Sequence, residues 1–150
     1  MENSLVIFQE RGLNLGFFPN DFETFFQLSS AWISPSNHSM LIWNFERTKE
    51  PQHGSFIHVG ALLGNSPATF NEQGYVFVKK INDLITMGLF LNDIITEIPS
   101  KKMGKKIEID QVNKVPSDIP KSIFRFVQRI KRKNIFVIDP LMLFQAYDVI

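Results

Sequence analysis

Fifteen of the 150 residues are phenylalanine, against two tryptophans and two tyrosines. A phenyl ring carries no polar handle, so most of these rings must be buried, and any left outside mark a contact surface. A chain of this length is long enough to supply a core that takes them. With 44% apolar and 21% charged residues, the composition is that of a soluble globular protein. There is no cysteine, which excludes disulfides, thiolate nucleophiles and cysteine-based zinc sites and suits a reducing cytoplasm. The start, "MENSLVIFQERGLNLGFF", has no basic leader region, and charges at Glu10 and Arg11 interrupt its apolar run. No signal peptide is expected there, and no eighteen-residue apolar stretch suggests a membrane span.

Periodicity divides the chain into strands and helices. "SLVIFQE" (4–10) is a short apolar run that ends in charge and Gly12, as a strand does. In "PNDFETFFQLSSAWISP", Asn20 and Glu23 resemble a capping box, and Phe22, Phe25, Phe26, Trp32 and Ile33 recur at helical spacing. A helix ending at Pro35 is predicted. "SMLIWNFE" (39–46), "SFIHVGALLG" (55–64) and "GYVFVKKI" (74–81) favour strands, and together they predict an antiparallel three-strand meander over about 39–81. From Asn82 to Pro99, Leu84, Met87, Gly88, Leu91, Ile94, Ile95 and Ile98 share a helical face. "KIEIDQV" (106–112) alternates like a half-exposed strand. "KSIFRFVQRIKRKN" (121–134) places Ile123, Phe126, Val127 and Ile130 on one helical stripe, after a start signalled by Ser117 and Asp118. "NIFVIDP" reads as a buried strand and "LMLFQAYDVI" as a short helix or strand. There is no internal sequence repeat or linker. The expectation is one compact domain over 1–150, α/β or α+β, with a mixed sheet flanked by about three helices.

Motifs for chemistry are sparse. His38, His53 and His58 lack the spacing of a helical metal motif. Glu108 and Asp110 would share one side of a strand, but beside Lys105 and Lys106, where charge neutralisation is enough to account for them. Asp139 ends a buried strand, a favoured place for active sites, yet the chain has no phosphate-binding glycine loop and no Gly-x-Ser-x-Gly elbow. The expectation is a protein without a catalytic site, metal or cofactor.

Charge is the remaining signal. Residues 1–75 hold three basic and seven acidic side chains, whereas 101–133 hold eleven basic and three acidic. Lys101, Lys102, Lys105, Lys106 and Lys121, with Arg125, Arg129 and Arg132 spaced as one helix face, form a candidate surface for an acidic partner or for phosphates. Glu46 and Glu50 form a second candidate surface, for a basic partner. The plain alternative for the basic face is the polar side of a surface helix, whose basic C-terminal turn complements the helix dipole. The resulting expectation is a cytoplasmic, non-enzymatic interaction protein: an inhibitor, immunity-type protein or adaptor that binds a protein partner by surface complementarity. The alternative is a nucleic-acid-binding protein that uses 101–133.

Overall fold

The computed structural model describes residues 4–64, 66–112 and 115–150. Its first elements are β1 (Ser4–Glu10), β2 (Leu13–Phe17), β3 (Thr24–Gln27), β4 (Trp32–Pro35), β5 (Ile42–Glu46) and β6 (His53–His58). Helix α1 (Val59–Gly64) precedes β7 (Tyr75–Lys80), β8 (Thr86–Leu91), β9 (Thr96–Pro99) and β10 (Lys106–Ile107). The chain ends with β11 (Phe124–Ile130), β12 (Lys133–Ile138) and α2 (Pro140–Ala146).

These elements form two compact units. Unit 1 contains the chain up to Asp21 and again from Ile94, and unit 2 is Phe22–Asp93. Unit 1 holds a six-stranded sheet of order β10-β11-β12-β2-β1-β9, and unit 2 one of order β3-β7-β8-β6-β5-β4. Each sheet is antiparallel except for one parallel pair, β12 with β2 and β6 with β8.

Both sheets must curl. Six flat strands would set their edges about 24 Å apart at the usual spacing of about 4.8 Å. Yet the edge strands β3 and β4 are joined only by a 3-10 turn, Leu28–Ser30, and Ala31. The edge strands β9 and β10 are likewise joined through a 3-10 turn at Ser100–Lys102. Curling wraps each sheet around its own core. Phe26, Phe45, Phe56, Val76, Val78 and Phe90 fill unit 2. Leu5, Ile7, Ile130, Ile135 and Val137 fill unit 1.

The units repeat one topology in permuted order. Unit 2 runs edge strand, 3-10 turn, opposite edge strand, hairpin, helix, then a final hairpin. Unit 1 follows the same path from β9 to α2 and takes its remaining hairpin from β1–β2. The repeat lies in the strand order and is invisible in the amino acids.

The expected fold class is therefore wrong. The protein is mostly β, and among the described residues only two α-helices occur, each short. The predicted helix over 20–34 is β3, a 3-10 turn and β4; that over 82–99 is β8 and β9; that over 117–133 is a 3-10 turn and β11. β8 and β11 bury residues on both sides, so strict alternation is lost, whereas in β3 and β4 the exposed Phe25 and Trp32 fall at helical spacing by coincidence. Met87, Leu89, Phe90 and Leu91 are all buried in β8, which is paired on both edges. In β11 a bulge between Phe124 and Phe126 shifts the register. The extra residue places apolar side chains at 123, 124, 126, 127 and 130, a set that imitates a helical stripe.

The meander over 39–81 also needs correction. β5 and β6 pair as expected, but β8 lies between β6 and β7 and runs parallel to β6. "VGALLG" is helix α1, and "KIEIDQV" contributes only the two-residue β10 before another 3-10 turn. The strands at 4–10, 42–46, 75–80 and 133–138, and a final helix, do form.

Candidate functional site

The basic segment folds as a hairpin and its approach, so Arg125, Arg129 and Arg132 do not share a helix face. Lys101 and Lys102 lie exposed on the 3-10 turn after β9, and Lys105 and Lys106 lead into β10. Lys121 begins a 3-10 turn, and Arg132 is in the β11–β12 turn. Lys114 lies outside the described residues.

Arg125 has a structural task. Its Nη1 donates to Asp21 Oδ2 at 2.9 Å and its Nε to Asp139 Oδ2 at 3.0 Å. Burial disfavours the charged guanidinium, but the hydrogen bonds to Asp139 and Asp21 and their charges outweigh this and raise its pKa. Asp139 turns its other oxygen to α2, where Oδ1 accepts from the Leu141 and Met142 backbone N–H groups at 3.0 and 3.3 Å. Asp139 is thus a helix cap and an ion-pair partner. Arg129 donates across the hairpin to Asn134 Oδ1 at 2.8 Å, and the Lys106 ammonium stands 4.7 Å from the Phe126 ring centroid.

The acidic candidates fare differently. Glu50 is exposed in the loop after β5. Glu46 ends β5 between Trp32 of β4 and His53 of β6, so the three form one cross-strand row. This row lies in a groove of about 660 Å³ in unit 2, whose walls include Ser34, Asn44, Ser55, Leu84, Ile85 and Met87. Ser55 Oγ donates to Asn44 Oδ1 at 3.2 Å within it. Trp32 is 69% exposed and Leu84 95%, so two large apolar side chains stand in water at the groove. β4 is also an edge strand, with one side unpaired in the sheet.

The histidines do not converge. His38 is in an exposed turn, while His53 and His58 stand at opposite ends of β6. His58 is buried at the start of α1. Its Nδ1 accepts from the Ala61 backbone N–H at 3.0 Å, so the proton resides on Nε2, which donates to Thr69 O at 2.7 Å. Asn92 Nδ2 donates to the same carbonyl at 2.8 Å. Burial lowers the His58 pKa, partly opposed by the hydrogen bond to Thr69. His58 and Asp139 therefore do equivalent work, each at the end of a strand and the start of the helix that follows. Among the described residues, no group of three or more His, Cys, Asp or Glu is placed to hold a metal. No described helix is long and apolar enough to cross a membrane.

The groove was not foreseen from sequence, since Trp32 was assigned to a buried helical stripe.

At the level of sequence, no family model and no curated protein matches this chain. Its fold does have a likeness among solved structures. The scaffolding protein TtCheW from Thermoanaerobacter tengcongensis is similar, with a TM-score of 0.63 over 93% of this chain and 90% of that one. Identity is 12%, so what the two share is the fold.

Proposed function

We propose that this chain is a protein-binding scaffold or adaptor with no catalytic activity of its own. The observation that carries this reading is the likeness in fold, over nine-tenths of both chains, to a protein described as a scaffolding protein. The separated histidines and the capping role of Asp139 support it, because they remove the side chains best suited to chemistry. A cysteine-free chain suits the cytoplasm, where we place it.

The unit 2 groove is the partner-binding face in this reading. Trp32 and Leu84 offer exposed apolar area, the material of interface hot spots, and Glu46 lies beside Trp32. Carboxylate and indole together suit a partner segment with an apolar anchor next to a lysine or arginine. Lys101, Lys102, Lys105, Lys121 and Arg132 are the exposed candidates for an acidic partner, with Arg125 withdrawn from them by its two carboxylates. Phosphate binding by 101–133 loses the shared helix face on which it was argued, and we do not carry it as a second function.

The test is affinity capture from nuclease-treated lysate of the source organism, comparing the wild type with Trp32→Glu/Leu84→Glu by quantitative mass spectrometry. A defined set of proteins held by the wild type and lost from the variant supports the reading. Capture that the variant leaves unchanged overturns the groove assignment, and binding to labelled nucleic acid that falls steeply with salt overturns the function.

A further inference from the structure

The two units share a topology, yet their inward faces end differently. In unit 2 the last inward pair of the β5–β6 hairpin is Phe45 opposite Gly54. A Cβ on Gly54 would stand 2.8 Å from the Phe45 ring, so the ring fills that end of the sheet. Arg47 adds cover, with its guanidinium 4.1 Å from the Phe26 ring centroid. In unit 1 the matching pair of the β11–β12 hairpin is Ile130 opposite Lys133. An aliphatic side chain and a lysine replace the ring, and a cavity of about 540 Å³ opens there. Small-molecule sites span about 300–1,000 Å³.

The floor and rim of this mouth differ in chemistry. Ile7, Ile98, Ile130 and Ile135 make the floor, continuous with the unit 1 core. The rim carries three consecutive cations, Lys131, Arg132 and Lys133, and among the described residues no acidic side chain lines the cavity. Opposite them Gln9 Nε2 donates to Asn14 Oδ1 at 2.9 Å, which holds two amide groups in place at the entrance. We propose that the isoleucine-floored mouth of unit 1 is a binding site for a small aliphatic carboxylate, chain inward and head group at Lys131, Arg132 and Lys133. A neutral hydrocarbon would leave the cations unmatched, and a bare anion would leave the apolar floor wet. A molecule with both parts satisfies both. This site is independent of the unit 2 groove and of the scaffold reading.

The experiment uses the full chain with labelled isoleucine δ1 methyl groups and titrates decanoate, decyl alcohol and a short acidic peptide with one isoleucine, followed by methyl NMR. Decanoate is expected to shift the signals of Ile7, Ile98, Ile130 and Ile135 and to leave Ile33 and Ile57 of unit 2 in place. Lys131→Gln/Arg132→Gln/Lys133→Gln, a surface change that leaves the core intact, should weaken decanoate about tenfold or more and remove its advantage over decyl alcohol. Ile130→Phe should plug the mouth and abolish the shifts. No shift with decanoate overturns the proposal, as do equal affinities for acid and alcohol in the wild type or shifts spread over both units. A response to the peptide alone overturns it too, and assigns the mouth to a protein segment.

Discussion

At the scale of the residue, small groups hold the fold together where polar and apolar demands meet. His58 satisfies a helix N-terminus and a loop carbonyl at once, and can do so only while neutral, because Nδ1 must accept. Its folded pKa lies below the ordinary value, so between the two the unfolded chain binds a proton that the native chain does not. Stability is therefore expected to be full above about pH 6.5, the unperturbed histidine value, and to fall as pH drops through the lowered folded pKa. Urea denaturation across this range should show that slope in the wild type and a flatter one in His58→Asn, whose side chain can still cap. Gly54→Ala should lose about 1–3 kcal/mol, since the new methyl strikes the Phe45 ring and a packed core yields only through strain. Arg125→Glu places a third carboxylate beside Asp21 and Asp139. It should lower the thermal midpoint, so a binding defect in that variant would report folding and not recognition.

At the scale of the element, burial on both faces decides the secondary structure. β8 is paired on both edges and apolar on both sides, whereas β10 is two residues long at a sheet edge. Amide hydrogen exchange should follow this order, with Leu89 and Phe90 among the slowest amides and Lys106–Ile107 among the early ones. Slow exchange in β10 would contradict the strand order. The strands legible in sequence, at 4–10, 42–46, 75–80 and 133–138, are short apolar runs closed by turn or charged residues. The three misread segments carry apolar residues at i, i+3 and i+4 by coincidence: a bulge in β11, a doubly buried strand in β8, and Phe25 on the outer face of β3. Phe25 is 57% exposed and stacks on the Phe77 ring at 5.4 Å, so it contributes to a face other than the core. Far-UV circular dichroism is the direct check: a β-dominated spectrum is expected, and strong helical minima would refute the fold.

At the scale of the whole molecule, one topology appears twice, and the two copies differ in what fills them. The cluster of unit 2 built on Phe26, Phe45, Phe56 and Phe90 is rich in phenyl rings and that of unit 1 built on Leu5, Ile7, Ile130, Ile135 and Val137 is aliphatic, although unit 1 also buries Phe8, Phe17, Phe124, Phe136 and Phe144. The charge asymmetry of the halves persists in softened form: unit 2 carries four basic and six acidic residues, and unit 1 twelve and nine. A scaffold reading fits surfaces of opposite character in two units. Trp32→Glu should abolish partner capture with little change in denaturation midpoint, because that side chain is already in water. A large loss of stability would mean that Trp32 packs as a structural residue.

The amino acids alone determined the apolar load, the exclusion of cysteine chemistry, the scarcity of catalytic motifs and the strands whose neighbours interrupt them. Those properties depend on composition or on a few adjacent residues. Tertiary structure alone decided that β8 lies between β6 and β7, that Arg125 is held by Asp21 from 104 residues away, that His58 caps a helix, and that Glu46 shares a groove with Trp32. Strand partners are chosen by the closure of a curled sheet, and a curled sheet brings together residues whose separation along the chain carries no periodic mark.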